Sequence, residues 1–409
     1  MKKRKIILFS ASYPFNTGEE FLSIELSYLS DLFDVTVVPF SVEHIECNRD
    51  TQLKIDRYLI DNVNIFNLLC AAARNLFSVE FYKSLCQEHR IVGRLGIHEV
   101  KRFVSQFSKA RITAKFISKT LNQTQQQVIF YCYWLDFPTL AFKFIKPTAN
   151  YKLISRAHGI DLFADQNIHG YIPLQLQKIR LLDRLILVSD NGMQYLLKKY
   201  GSQLEHRFVV SKLGVSKIFP NTQQYNGKSL CLVSISSCVS IKRINLIIDL
   251  IAKIREYGVD LTWQHIGDGE LFDEMQEYAA SRLKYGFSFH GYKPNYEVQR
   301  TLATNSFAAL ISCSYSEGGN PVSMQEAQAY GLPIIATNVG GVAEVFDSYD
   351  CGWLIERDFI LDNVAAMLAV ELCNSEMCLI KSENAYKSFI SKYQAEVNYS
   401  AFCRLVQEL

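Results

Sequence analysis

Two glutamates, Glu317 and Glu326, enclose a short segment of glycine, asparagine, proline and apolar residues in "SEGGNPVSMQEA", Ser316 to Ala327. A carboxylate so placed can accept hydrogen bonds from a diol, while the segment between the two can hold an anion. "FAALISCSYSEGGN" reads as a buried strand running out into a loop. Asn320 suits a helix N-cap and Pro321 the first helical position, and the helix "PVSMQEAQAY" should stop at Gly331, with Pro333 beyond. The loop residues Gly318, Gly319 and Asn320, with Val322 after them, would then present bare amides at a helix N-terminus. Such amides and the helix dipole favour phosphate, and glycine lets a ligand come close to the backbone. Glu317 would sit at the strand end where a ligand lies, and Glu326, inside the helix, could accept two hydrogen bonds from a diol. Taken singly, Glu326 reads as a solvated helix residue and Glu317 as a loop charge. The whole arrangement favours function.

Other candidates lie at comparable junctions. Lys242 and Arg243 stand between a strand and a helix in "ISSCVSIKRINLII", a place where cations can neutralise a departing diphosphate and where two solvated cations are also common. "SRAHGIDLF" puts His158 at a strand end, and "SYPFNTGEEFLSIEL" puts Gly18, Glu19 and Glu20 before a helix, where acids also favour the dipole. "GDGE" at Gly267 to Glu270 lacks the spacing of a dinucleotide fingerprint.

The elements that must hold these residues form two series. "KIILFSA", "EEFLSIELSYLSDLF" and "DVTVVPF" read as strand, helix, strand, a βαβ unit that "QVIFYCYW", "YKLISRAHG" and "RLILVS" extend. After the aperiodic linker "FPNTQQYNGKS" the pattern restarts with "LCLVSIS" and alternates strand and helix as far as "PIIATN". The expected fold class is α/β, with two Rossmann-like doubly wound domains facing a central cleft and ligands beyond the carboxyl ends of the strands. The expected boundaries are 1–215, 216–380 and a helical segment 381–409 that packs back on the first domain.

At 409 residues the chain is long for one core and suits two, and 49% hydrophobic against 21% charged residues is a globular balance. A formal charge of +2 argues against a general polyanion binder, and no nucleic-acid partner is expected. The 11 cysteines include no C-x-x-C pair and no zinc spacing, and read as free thiols in a reducing compartment. The basic start "MKKRKIILFSASYP" has too short an apolar run for a signal peptide, and no run is long enough to span a bilayer. A cytoplasmic protein is expected. A helical insertion at about 65–122 is basic: Arg74, Lys83, Arg90, Arg94, Lys101, Arg102, Lys109, Arg111, Lys115 and Lys119 oppose only Glu80, Glu88 and Glu99 between Ala71 and Thr120. Its segment "GIHEVKRFVSQFSKARITAKFISKTL" has the composition of an interfacial helix, which would place the protein peripherally on the inner face of the cytoplasmic membrane. A solvated basic face covering the core of the first domain is the competing reading.

"SEGGNPVSMQEAQAYGLPIIATNVGGVAEV" resembles the donor-binding motif of retaining glycosyltransferases of family 4, which have the GT-B fold. That motif holds two glutamates with seven residues between, then Ala, a Gly-Pro pair, and Gly-Gly before another Glu. Gly331-Leu332-Pro333, Gly340-Gly341 and Glu344 fall in place, while "GGNPVSMQ" is one residue longer than the pattern. The resemblance implies that Glu326 binds ribose, that Glu317 binds the donor sugar, and that Lys242 is the phosphate-binding lysine. Ser236 and Ser237 stand where the family often has an arginine, and Arg243 is the cation available to compensate. It further implies that His158 contacts the transferred hexose, that Asp161 fixes its loop, and that Gly18 lies against donor or acceptor. The resemblance is dense from about Ser229 to Glu356, thinner over the first domain, and does not cover the insertion.

The resemblance thus implies a retaining hexosyltransferase that takes a nucleoside diphosphate sugar and acts on a glycan or lipid-linked glycan, in bacterial capsule, O-antigen or lipopolysaccharide assembly. It implies no metal and no cofactor, and no obligatory protein nucleophile. A sugar-nucleotide epimerase on the same fold and a non-catalytic partner subunit remain as alternatives. A phosphorylase would need a pyridoxal-phosphate lysine, which the sequence does not single out.

Overall fold

The computed structural model describes residues 3–15, 19–42, 51–148, 150–167, 170–222, 230–319 and 321–409, the side chains of 89–95 excepted. Gly18, Asn320 and residues 223–229 of the expected linker lie outside the described residues. Contacts divide the chain into two compact units, residues 1–211 with 400–409, and residues 212–399.

The first unit begins with β1 (Lys5–Ser10), α1 (Glu20–Leu32), β2 (Asp34–Pro39), β3 (Lys54–Ile55) and α2 (Tyr58–Asn62). Three helices follow, α3 (Ile65–Asn75), α4 (Val79–Leu95) and α5 (Ile97–Asn122). β4 (Val128–Cys132), α6 (Phe137–Leu140), β5 (Tyr151–Ala157), α7 (Gln175–Leu181), β6 (Arg184–Leu187), α8 (Asp190–Tyr200) and β7 (Phe208–Val210) complete the series. The sheet order is β3-β2-β1-β4-β5-β6-β7 and every pair is parallel. Alternate residues of each strand feed opposite faces. Ile7, Phe9 and Phe130 join a core with Phe103, Phe107, Ala110, Ala114 and Ile117 of α5. Ile6, Leu8 and Tyr131 join another with Leu22, Leu26 and Leu29 of α1.

The apolar stripe of α5 is therefore interior, which corrects the reading of this segment as an interfacial helix. Its cations are also partly committed inward. Arg102 donates to Glu99 at 3.1 Å, and the Arg111 Nε donates to Asn75 Oδ1 at 2.9 Å while its guanidinium lies over Phe144.

The second unit runs β8 (Leu230–Ile235), α9 (Ile244–Glu256), β9 (Leu261–Ile266), α10 (Phe272–Leu283), β10 (Phe287–Phe289), α11 (Asn295–Thr304), β11 (Ala309–Ser312), α12 (Val322–Ala329), β12 (Ile334–Thr337), β13 (Gly352–Ile355), α13 (Leu361–Glu371) and α14 (Ser375–Lys392). Its parallel order is β10-β9-β8-β11-β12-β13. The strand order turns back at β8, so β8 and β11 diverge at a switch point, where doubly wound sheets take ligands. Both units thus have the expected doubly wound α/β class.

The boundaries differ from those expected. Lys212–Val215 belongs to the second unit, because Val215 exchanges backbone bonds with Tyr393 and Ala395, and a Cβ on Gly214 would meet the Ala395 Cα at 2.6 Å. The return to the first unit comes at Ser400, inside α15 (Ala395–Gln407), since α14 still packs on α12 and β13. Phe402, Cys403 and Val406 then enter the first unit's core. Among the described residues no single helix is long and apolar enough to cross a membrane.

Candidate functional site

The site in the second unit is built from the loops that leave β8 and β11. The β8 loop is held from one side by the β9–α10 turn. Ser236 N donates to Ile266 O at 3.1 Å, Cys238 N to Asp268 O at 2.9 Å, and Leu271 N to Cys238 O at 3.0 Å. Gly267 is obligatory in this turn, because a Cβ there would fall 1.8 Å from the Ser236 carbonyl oxygen. Beneath the loop, buried His265 bridges Ser234 Oγ and Cys238 Sγ, and burial pushes its imidazole down to about 4. It is a neutral prop.

The loop then tightens into a single 3-10 turn, Ser240–Lys242, and Arg243 adopts a left-handed conformation with φ 49° before α9. That conformation turns the Arg243 guanidinium toward the β11 loop. Its Nε donates to Cys313 O at 2.6 Å, and its Nη2 donates to Arg357 O at 2.8 Å and Ser314 O at 3.3 Å. Arg243 is thus a tether between loops. Tyr315 N also donates to Ile241 O at 2.8 Å.

With the two loops fastened, the Lys242 ammonium and the Glu317 carboxylate meet at 2.5 Å, both largely withdrawn from solvent. Gly340 supports Glu317 from behind. At φ 55° its missing Cβ would lie 1.8 Å from the Glu317 carbonyl oxygen.

Gly318 and Gly319 lead from Glu317 toward α12. The helix begins at Val322, and Pro321 holds the N-cap position with φ −55° and ψ 138°. This shifts the expected start by one residue, because the Pro321 carbonyl already accepts from Met324 and Gln325. The first amides of a helix lack intrahelical acceptors, so this end remains suited to an anion. Glu326 is buried, only 4% exposed, and accepts a hydrogen bond from Asn295 Nδ2. Asn295 is itself held by Gln299 at 3.1 Å, and Gln299 accepts from the Tyr330 hydroxyl at 3.0 Å and from Ile218 N at 3.1 Å. The solvated-helix reading of Glu326 therefore fails. A buried carboxylate held by a polar chain keeps one geometry, as diol recognition requires.

In the first unit, His158 follows β5 and is buried among Trp134, Tyr133 and Phe21, at ring distances of 4.5, 5.0 and 5.8 Å. Its Nε2 donates to Tyr133 O at 3.2 Å, which fixes the tautomer. Burial first, then the Arg156 charge, push the imidazole from 6.5 to about 3, so the ring is neutral near neutral pH. Asp161 clamps the turn, accepting from His158 N at 2.7 Å and Leu135 N at 2.8 Å. Behind this turn lies a fully buried pair, Arg156 and Glu25 at 2.9 Å, with the Tyr131 hydroxyl bonded to both.

Glu19 does not cap α1. It sits at φ 50° and turns back into the β1 loop, where it accepts from Ala11 N at 3.0 Å, Ser12 N at 2.8 Å and Tyr13 N at 2.7 Å. The Trp134 indole also donates to it at 2.6 Å, so Glu19 positions the ring that lies against His158 at a 45° tilt.

The structure therefore joins Lys242 to Glu317 directly, orders Glu326 through Asn295, directs Arg243 to carbonyls, and places His158 in an aromatic cage. Sequence reasoning missed Asn295 and Trp134. The signal for Asn295 was an asparagine opening the helix of "KPNYEVQRTL". Trp134 in "YCYWLD" gave none beyond its size. Among the described residues no group of three or more His, Cys, Asp or Glu is arranged to hold a metal ion.

Residues 216–388 match the family described as "Glycosyl transferases group 1". WcaL of Escherichia coli (strain K12), whose name assigns it to colanic acid biosynthesis as a glycosyltransferase, is 26% identical over 216 residues, covering 51% of this chain and 52% of that protein. AmsK of Erwinia amylovora, named an amylovoran biosynthesis glycosyltransferase, is 25% identical over 214 residues, covering 50% and 51%. The chain thus spans about half the length of the curated relatives it matches. Among solved structures, S. aureus TarM in complex with fondaparinux, alpha-GlcNAc-glycerol and UDP is 13% identical, with a TM-score of 0.69 over 98% of this chain and 99% of that one. At that identity the likeness is one of fold.

Proposed function

We propose that this chain is a retaining glycosyltransferase that moves a hexose from a nucleoside diphosphate sugar to a hydroxyl of a glycan or lipid-linked glycan, in the assembly of a bacterial surface polysaccharide. The observation that carries the reading is the Lys242–Glu317 pair at 2.5 Å, set at the switch point of the second sheet, just before the glycines and the start of α12. An ammonium beside a helix N-terminus suits a diphosphate, and a carboxylate beside it suits sugar hydroxyls. The match over 216–388 and the names of WcaL and AmsK favour the same chemistry and the polysaccharide setting.

In this reading the diphosphate draws the Lys242 ammonium away from Glu317, and the freed carboxylate turns to the donor sugar. Glu326, kept in place by Asn295, accepts from the ribose hydroxyls. The bond from the sugar C1 to the diphosphate oxygen breaks, and the acceptor oxygen bonds to C1 on the same face. The acceptor proton passes to the departing phosphate oxygen. Lys242 and the amides ahead of α12 supply the positive charge at that oxygen, and no metal or cofactor is required. His158 enters as a neutral imidazole, a hydrogen-bonding surface for a sugar hydroxyl.

The test is a panel of UDP- and GDP-sugars, read first by thermal stabilisation and then by hydrolysis and transfer. One nucleotide should raise the melting temperature, and the anomeric configuration of the product should match that of its donor. Stabilisation by none of them would overturn the reading in favour of a non-catalytic subunit. A sugar altered without any acceptor would overturn it in favour of an epimerase.

A further inference from the structure

We propose that the exposed side of α3 and of the turn leading into α4 docks on the surface of an anionic lipid bilayer. Among the described residues, the side of these helices that faces α5 is committed to the core. Ala71 and Asn75 are buried, with Asn75 bonded to Ser108 and Arg111 of α5, and Phe81 makes edge contacts with Phe103 and Phe107 at 5.5 and 5.3 Å. The outer face carries Ile65, Phe66, Leu69, Leu76, Phe77 and Val79, all well exposed. Phe66, Leu69 and Ala73 follow one another at helical spacing on α3, so they form one stripe, and exposed Leu76 and Phe77 follow in the turn after the helix. Phe77, at the bend between the helices, is 90% exposed, and Phe66 is 71% exposed. An apolar stripe of this size is uncommon on a surface that meets only water.

Charge selects the partner. Arg74 and Lys83 are exposed on the same two helices. The acid at this junction, Glu80, is already shared between Lys83 at 3.3 Å and Lys143 at 3.7 Å. The stripe is therefore edged by cations in excess. Shape points the same way: aromatic and aliphatic side chains project from a bend between two helices. Apolar tips with basic neighbours suit the boundary between lipid headgroups and acyl chains, where each cation adds to the attraction of an anionic leaflet. The docking element is thus α3 with the turn that follows it, and not α5, whose apolar face is spent on the core. The inference does not rest on glycosyl transfer.

The experiment is flotation of the full chain with vesicles of phosphatidylglycerol and phosphatidylcholine, against vesicles of phosphatidylcholine alone. Binding is expected to the anionic vesicles at low salt and to weaken as salt rises. Leu69→Ser with Phe77→Ser should lower partitioning at least about tenfold, because two large apolar side chains no longer enter the interface. Phe77→Trp should keep binding, with blue-shifted emission on vesicles, and Arg74→Glu should weaken it. All three positions altered, Leu69, Arg74 and Phe77, are exposed, and far-UV circular dichroism with the melting temperature verifies the fold. Absence of binding at low salt would overturn the proposal, as would serine variants that bind like the original chain. A dimer in light scattering that Phe77→Ser dissolves, without vesicle binding, would assign the face to a second copy instead. Nucleotide-induced stabilisation, measured on the same variants, should be unchanged, so a failed docking test leaves the donor-binding reading standing, and the reverse.

Discussion

Replacing Glu326 by Gln isolates its proposed contact with ribose more cleanly than replacing it by Ala. The carboxylate is buried and accepts from Asn295, so Ala would strip a partner from a buried amide and add a stability loss of about 1–3 kcal/mol. Gln keeps the side-chain length and an oxygen for Asn295, and removes only the charge and one acceptor. A charge-assisted bond to a ribose hydroxyl is worth about 1.5–3 kcal/mol, so the nucleoside diphosphate should bind about 10- to 150-fold more weakly. Calorimetric titration with the diphosphate that stabilises the chain measures this directly. Repeating it with the 2′,3′-dideoxy nucleotide closes a double-mutant cycle, in which the penalty of Glu326→Gln should vanish because its partner hydroxyls are gone. Unchanged affinity in a folded Glu326→Gln chain would refute the reasoning. So would a penalty equally large for the dideoxy ligand, since the effect would then come from the α11–α12 scaffold and not from ribose.

Lys242→Ala should lower kcat about 100-fold or more while leaving the fold intact, and turnover should survive EDTA; an unchanged kcat would make Lys242 a surface cation. Gly340→Ala should destabilise the chain by about 2 kcal/mol or more in urea unfolding, since a Cβ at φ 55° would sit 1.8 Å from the Glu317 carbonyl oxygen, and a near-neutral effect would refute that close approach. The His158 imidazole is lowered from 6.5 to about 3 on folding, so below about pH 6.5 the unfolded chain takes up a proton that the folded chain refuses. Its contribution to stability is complete above 6.5 and lost as pH falls toward 3, by up to about 1.4 kcal/mol per pH unit. Comparing urea unfolding of the original chain and His158→Gln from neutral to acid pH should show the shallower slope in the variant.

What was legible in the sequence was whatever neighbouring residues decide. The run "KIILFSA" is buried on both faces and became β1, the strand before Glu317 appeared as the shorter Ala309–Ser312, and the helix after it came within one residue of expectation. Lys242 and Glu317 are separated by 75 positions, so no local signal gave their pairing, and the resemblance implied only a separate role for each, phosphate and donor sugar. The misreadings share a different cause. The periodicity of α5 announces an apolar face without naming what that face meets. A lipid surface and the chain's own sheet satisfy the same pattern, and the sheet took Phe103, Phe107 and Ile117. Glu19 and Arg243 show the same limit at single positions. An acid before a helix is ordinarily assigned to the dipole, and a cation beside Lys242 to the phosphate. Both residues instead adopt left-handed backbones, at φ 50° and 49°: Glu19 swings its side chain back onto the main chain of its own β1–α1 loop, and Arg243 swings its side chain onto the main chain of the β11 loop. The first contact is local and the second comes within reach only once the sheet has formed. A charge beside a site can therefore bind a ligand or build the loop that does, and only its backbone conformation and neighbours separate the two. By that criterion Lys242, whose Nζ meets a carboxylate and not a carbonyl, remains the cation that a diphosphate can claim.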